Sequence, residues 1–337
     1  MKQSDFGTLL TRYLSHHLPV QRNLSVNTIK SYRDTFKQLL KYCRDEKKLK
    51  IAKITIKQID KRFIEDYLIW LRQERKISTS TYNQRLSAIH AFFDYVMVEE
   101  PEYIEHCQRI IKIKAMETPE KPAVYLTGSN LQLLLAEPDT NTRKGRRHLA
   151  ILTVLYDTAA RVSELTDVKV RDVRLEAPAC ITLHGKGDKI RTVPLMKQSV
   201  AILTEYLAEN RINPRLHGDL PLFWGNNRRK LTRSGITYIV QKYAGQASNS
   251  SVDMPLKITP HILRHTKAMH MVQTNVHPIY IKDHLGHADI TTTQVYAKAE
   301  NEVKREVLEQ AAGRLELPQV TNWEHDDRLI EWLDSLG

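Results

Sequence analysis

At 337 residues and 41% hydrophobic, the chain has material for two domains with separate cores, and it carries no apolar run long enough to span a bilayer. Its net charge of +12 favours a polyanionic partner, whose nature depends on where the cations sit. Cys43, Cys107 and Cys180 are odd in number and far apart, giving neither a disulfide framework nor a Cys-rich metal site; the opening residues lack a secretory apolar block, so a reducing cytoplasm is expected.

From about Phe6 to Ile113 the pattern is helical. Ser25 is the expected N-cap of a helix running toward Arg44, with Ile29, Tyr32, Phe36, Leu39, Leu40 and Cys43 as its apolar stripe. Lys30, Arg33, Lys37, Lys41 and Arg44 recur at nearly the same period on a different face, either as a solvated cationic face or as a row of phosphate contacts. Thr55 precedes a third apolar pattern over Ile59 to Arg75, carried by Ile59, Phe63, Tyr67, Leu68 and Leu71. A further helix is predicted from Ser80 to about Val98, with Tyr82, Leu86, Ile89, Phe93 and Val96 on its core face. Asn83, Arg85, Ser87 and His90 lie off that face, as contacts to phosphates and base edges or as ordinary surface.

The polar stretch Lys112 to Pro122 contains Pro119 and Pro122 and reads as an interdomain linker. This gives a helical domain over 1–113, a linker over 114–124, a second domain over 125–317 and a tail over 318–337. The second domain opens with a helix near Asn130 to Glu137. A basic run follows, Arg143 to Arg147, then an apolar helix from Leu149 to Tyr156 that is interrupted around Asp157 to Ala159. Cys180 to Leu183 and Ile190 to Leu195 read as two short strands, with Lys186 on or beside a Gly-rich hairpin tip. From Val200 the pattern is helical again, with loops near 214–218 and 246–255. A last helix over Trp323 to Leu336 carries Leu329, Ile330, Trp332, Leu333 and Leu336 on a narrow apolar face. The fold class is mainly α with a small β-hairpin.

Four short segments carry chemistry: Ala160 to Leu165, Gly185 to Lys189, His261 to His265, and Leu285-Gly286-His287 followed by Tyr296. A phosphodiester resists attack because its anionic oxygens repel nucleophiles. Two guanidiniums aimed at those oxygens, from Arg161 and Arg264, relieve this and stabilise the transition state. Arg161 follows the helix break and precedes Ser163, a candidate cap; the bland alternative for Arg161 is a salt bridge with Glu164. A lysine such as Lys186 in a cationic, partly dry site gives up its proton to a leaving alkoxide more readily. Tyr296, one of 14 tyrosines, is the candidate nucleophile; its phenol, with a pKa of ~10, must lose its proton during attack. His261 and His287 can donate to non-bridging oxygens or shuttle a proton. Zinc binding by His261/His265 or His284/His287 lacks a third ligand at suitable spacing, so no metal is expected.

Together these segments resemble the tyrosine recombinase (phage integrase) family, in family order across nearly the whole chain. Thr158 to Leu165 is similar to its first-arginine box, His184 to Leu195 to its lysine hairpin, His261 to Thr266 to its H-x-x-R-H box, and His284 to Tyr296 to its L-G-H…Y box. Leu24 to Ile29 and Thr81 to Leu86 resemble its helical core-binding domain. The resemblance implies that Arg161 and Arg264 clamp the scissile phosphate, Lys186 protonates the departing 5′ oxygen, His261 and His287 assist, and Tyr296 forms a 3′-phosphotyrosyl bond. It implies no cofactor, double-stranded DNA as partner, a tetramer on two duplexes passing through a Holliday junction, and a C-terminal helix docked on a neighbouring protomer. Two departures stand at backbone positions where the family often has glycine, Ala159-Ala160 before the first arginine and Asn275.

The expected function is site-specific recombination for integration, excision or transposition of a mobile element in a prokaryotic cytoplasm. Dimer resolution by the same chemistry, a non-catalytic DNA-binding regulator and a relaxing topoisomerase are the alternatives.

Overall fold

The structure, a computed structural model, describes residues 5–118, 124–185, 189–225, 229–251, 253–255 and 257–286, together with 331, 334 and 335. The chain forms two units, Met1–Lys121 and Pro122–Gly337.

In the first unit, α1 (Asp5–Arg12) continues into a π-helical stretch, Tyr13–Gln21, and is followed by α2 (Val26–Asp45), α3 (Lys61–Gln73), α4 (Thr79–Glu99) and α5 (Ile104–Ile111). Helices α2, α3 and α4 each start where a side chain satisfies an orphan backbone donor. Ser25 accepts from the Thr28 N–H, Asp60 from that of Phe63 at 2.7 Å, and Ser78 from that of Thr81. Thr55, expected to open α3, instead starts a single 3-10 turn, and Asp60 caps α3 itself. Phe36, Leu39 and Cys43 of the expected α2 stripe are buried. Phe36 meets Phe92 edge-to-face at 5.0 Å in an aromatic core that also takes in Phe6 and Tyr13.

The second unit contains α6 (Gly128–Ala136), α7 (Arg143–Thr158), α8 (Val162–Asp167), β1 (Val173–Arg174), β2 (Cys180–His184), β3 (Ile190–Pro194), α9 (Lys197–Glu209), α10 (Arg233–Ala247), α11 (Pro260–Gln273) and α12 (Pro278–Leu285). The strands form one antiparallel sheet in the order β1-β2-β3, with Ile181 opposite Val193 and Leu183 opposite Arg191. The architecture is mainly α with a small sheet, as the sequence indicates. Helix α7 begins at Arg143 rather than Leu149, because Thr142 accepts from the Gly145 N–H at 3.0 Å and makes the basic run the first turn of the helix. The main core packs Ile151, Leu152 and Leu155 of α7 against Ile181, Leu183 and Val193 of the sheet and Leu203 of α9. A smaller cluster of Ala159, Ala268, Met269, Val272, Ile281 and Leu285 joins the end of α7 to α11 and α12. Among the described residues no helix is long and apolar enough to cross a membrane.

Candidate active site

Helix α7 ends in a reversal. Ala159 takes a left-handed conformation at φ +48°, and the Thr158 hydroxyl accepts from the Ala160 N–H at 3.2 Å. The turn delivers Arg161 to the N-cap of α8. Ser163 does not cap this helix. The Glu164 carboxylate does so by reaching back to the Arg161 N–H at 2.8 Å, the reciprocal half of a capping box. Glu164 also accepts from Arg161 Nη1 at 2.7 Å and from Arg191 Nη1 and Nη2 at 3.0 and 2.8 Å. Burial pushes this carboxyl up, but the bonds from Arg191 and Arg161 outweigh burial and hold it below its ordinary value. The bland reading of Arg161 as a partner of Glu164 is therefore present in the fold, yet its side chain stays 42% exposed and open to a ligand.

Thr259 and Pro260 open α11 and place His261, Arg264 and His265 in its first two turns. Arg264 is buried and donates to the Ala159 carbonyl at 2.7 Å and to the Leu285 carbonyl at 2.5 Å, tying the end of α7 to the end of α12. His261 and His265, one turn apart, hydrogen-bond through their Nε2 atoms at 2.7 Å. Burial lowers the pKa of His261, aided by the positive field of Arg264 and Arg161; burial, His261 and Arg264 push His265 down to about 4. Arg161, Arg264 and His261 thus meet where α7, α8 and α11 converge. Behind them, His284 Nε2 bonds the Asp157 carbonyl at 3.0 Å, and burial beside Lys267 drops its pKa to about 4. Among the described residues no three His, Cys, Asp or Glu side chains form a group able to hold a metal ion.

Lys186, His287 and Tyr296 lie outside the described residues, as does nearly all of the tail helix expected over Trp323 to Leu336. The residues flanking two of them reach the same cluster. Gly185 closes the hairpin by donating to the Lys189 carbonyl at 2.7 Å, and a Cβ built on Gly185 would lie 3.4 Å from Glu164 Oε1. Gly286 caps α12 at φ +63°, against the Arg191 side chain.

In the first unit, Lys30, Arg33, Lys37 and Arg44 are exposed and Lys41 is half-buried. Arg33, Lys37, Lys41 and Arg44 border a groove of about 410 Å³ floored by Leu10, Phe36, Leu40 and Ile51. Ser87 is exposed, with its hydroxyl donating to the Asn83 carbonyl. The other three α4 residues have internal partners or burial. The Asn83 amide exchanges two hydrogen bonds with the Met116 backbone at 2.8 and 2.9 Å, and Arg85 Nη1 bonds the Ser31 carbonyl and the Thr35 hydroxyl. His90 is half-buried, and burial lowers its pKa. The sequence reading missed Arg191, whose only signal was its place within the hairpin segment, and took Glu164 only as a salt-bridge partner of Arg161.

Residues 124–302 match the phage integrase family, and residues 10–100 match the phage integrase N-terminal SAM-like domain. The chain belongs to the phage integrase family and is a tyrosine recombinase. A putative integrase/recombinase of Sinorhizobium fredii, y4rC, is 33% identical over 337 residues, 99% of each chain. The tyrosine recombinase XerD of Listeria monocytogenes is 33% identical over 284 residues, covering 83% of this chain and 91% of XerD. In fold the chain is similar to the Tn1549 transposon integrase solved in complex with transposon right end DNA, with a TM-score of 0.70 at 18% identity, covering 90% of this chain and 98% of that one. It is likewise similar to the XerH site-specific recombinase bound to a palindromic difH substrate, with a TM-score of 0.67 at 22% identity, covering 86% and 81%.

Proposed function

We propose that this chain cleaves and rejoins DNA strands at specific sites through a 3′-phosphotyrosyl intermediate. The observation that supports it most directly is the meeting of Arg161, Arg264 and His261 at one helix junction, with the residues before Lys186 and His287 brought to the same cluster. In this reading the two guanidiniums bind the non-bridging oxygens of the scissile phosphate and stabilise the charge that builds there. The Tyr296 oxygen attacks phosphorus as its phenolic proton passes to the site histidines, the bond to the 5′ oxygen breaks, and Lys186 supplies the proton that oxygen needs to leave. His261 and His287 donate to the phosphate. The phosphotyrosyl bond keeps the energy of the original linkage, so attack by the 5′ hydroxyl of a partner strand reseals the DNA without a nucleotide cofactor.

Double-stranded DNA is the partner. Lys30, Arg33, Lys37, Lys41 and Arg44 are assigned to it as phosphate contacts, because Lys30, Arg33, Lys37 and Arg44 are exposed and Lys41 borders the same groove, whereas Asn83, Arg85 and Ser87 already bond groups of their own unit. Two duplexes held by four protomers, with the 318–337 tail docked on a neighbour, complete the assembly.

Movement of a mobile element is the biological role favoured, supported by likeness to the Sinorhizobium integrase/recombinase over 99% of both chains. Equal identity to XerD supports a second reading, resolution of chromosome or plasmid dimers. The test is a plasmid with two copies of the duplex this protein selects from a randomised DNA pool. Deletion or inversion between the copies is expected. Relaxation of a plasmid lacking the sites would instead indicate a topoisomerase, and binding without any strand breakage a regulator.

A further inference from the structure

We propose that Arg191 is a positioning residue for strand cleavage, acting by neutralising Glu164 so that Arg161 keeps its charge for the phosphate, and by holding the end of α12. The proposal rests on the recombinase reading above.

Arg191 stands on β3 opposite Leu183, and its side chain is 12% exposed. It grips both Glu164 oxygens, at 3.0 and 2.8 Å, and Glu164 is itself only 3% exposed. The same carboxylate takes the backbone N–H and Nη1 of Arg161. One negative charge is thus shared between two guanidiniums, and the cluster keeps a net positive charge. The sharing is unequal in position. Arg191 is the less exposed partner, at 12%, whereas Arg161 is 42% exposed. Without Arg191, the buried carboxylate would have Arg161 alone to offset its desolvation and would draw that guanidinium into a closed pair. A phosphate arriving at such a pair meets little net charge.

The third Arg191 donor has a different task. Nε bonds the His284 carbonyl at 3.1 Å, in the last turn of α12. Gly286, two residues on, packs so closely on Arg191 that a Cβ there would lie 2.9 Å from Arg191 Cδ. Carboxylate and helix end are therefore set by one planar fork. The point charge of a lysine reaches one of them and not both.

The test uses the full chain and a nicked suicide duplex carrying the sequence this protein selects from a randomised pool. Adduct formation is followed in single turnovers at saturating protein, and DNA affinity and melting temperature are measured separately. Arg191→Gln is expected to leave DNA affinity unchanged and to slow adduct formation about 100-fold, the scale of a misplaced reacting group. Arg191→Lys is expected to slow it at least about 10-fold and serves as the test if the glutamine variant fails to fold. Arg191→Gln/Glu164→Gln is expected to cleave about 10-fold faster than Arg191→Gln, because a neutral partner no longer draws in Arg161. A merely structural pillar would give no such recovery.

A wild-type rate in Arg191→Lys overturns the proposal, and so does a double variant no faster than Arg191→Gln. The wild-type lane separates this failure from that of the recombinase reading. Absence of any wild-type adduct removes the reading and the proposal together, whereas a normal wild-type adduct beside unaffected variants removes only the role of Arg191.

Discussion

Gly286 answers two demands at once. Its φ of +63° is one that L side chains avoid, and its Cα faces an Arg191 side chain already fixed by Glu164. Gly286→Ala therefore adds a conformational cost to a clash that cannot relax freely, and it is expected to lower unfolding free energy by about 2 kcal/mol in denaturant titration. A loss within error would show that the α12 cap is free to move. Ala159 and Asn275 share the left-handed conformation, at φ +48° and +56°. The resemblance to the family marked both positions as places where glycine often stands, and the backbone gives the reason. Asn tolerates this region, while Ala159 places its methyl in the small cluster with Ala268 and Met269 as an offset. The arginine and histidine boxes were legible in the sequence because each sets its polar side chains within a few consecutive residues, although the boxes meet only in the fold. Arg191 was not, because its partners Glu164 and His284 lie far from it along the chain and no local pattern announces them.

At the level of elements, the start of α2 was legible because the Ser25 cap directly precedes its apolar stripe. Other starts were misplaced where the apolar pattern set them: α3 is capped by Asp60 rather than Thr55, and α7 begins after the Thr142 cap rather than at Leu149, because periodicity locates a core face and not the hydrogen bond that begins a helix. The polar face of α4 shows a second limit. Arg85 pairs sideways with α2, and Asn83 with the segment after α5, contacts that only tertiary packing creates. Helix α2 kept both the faces expected of it, an apolar one in the core and a cationic one outside. If that outer face meets phosphates, Lys37→Gln and Lys41→Gln should weaken DNA binding evenly across sequences. Each should also flatten the dependence of log affinity on log salt by about 0.9. An unchanged slope in mobility-shift titrations would remove these lysines from the DNA contact.

For the whole molecule, the excess of positive charge along the chain points to nucleic acid, and the polar Pro-containing stretch divides it in two. Each unit has its own core. The second unit carries a pH dependence that composition did not reveal. His148, 3% exposed, is held neutral with a pKa of about 4, first by burial and then by Arg147, Lys144 and Lys242. His284 is held the same way by burial and Lys267. Above about pH 6.5 these rings are neutral in both folded and unfolded chains and contribute no slope. Below it the unfolded chain takes protons that the fold refuses, so stability falls from about pH 6.5 toward pH 4, by about 3 kcal/mol for His148 alone. Unfolding free energies measured across that range should decline steadily; a flat profile would place these histidines in contact with water.

Strand cleavage by a tyrosine phenol is the claim on which the functional reading turns. The direct measurement traps the covalent product of the wild-type chain and of Tyr296→Phe on the same nicked duplex and maps the DNA-bearing peptide by mass spectrometry. The expected result is a 3′-phosphate joined to Tyr296 in the wild type, no adduct in Tyr296→Phe, and equal binding of the duplex by both. An adduct that survives the substitution, or one that maps to another residue, would contradict the account.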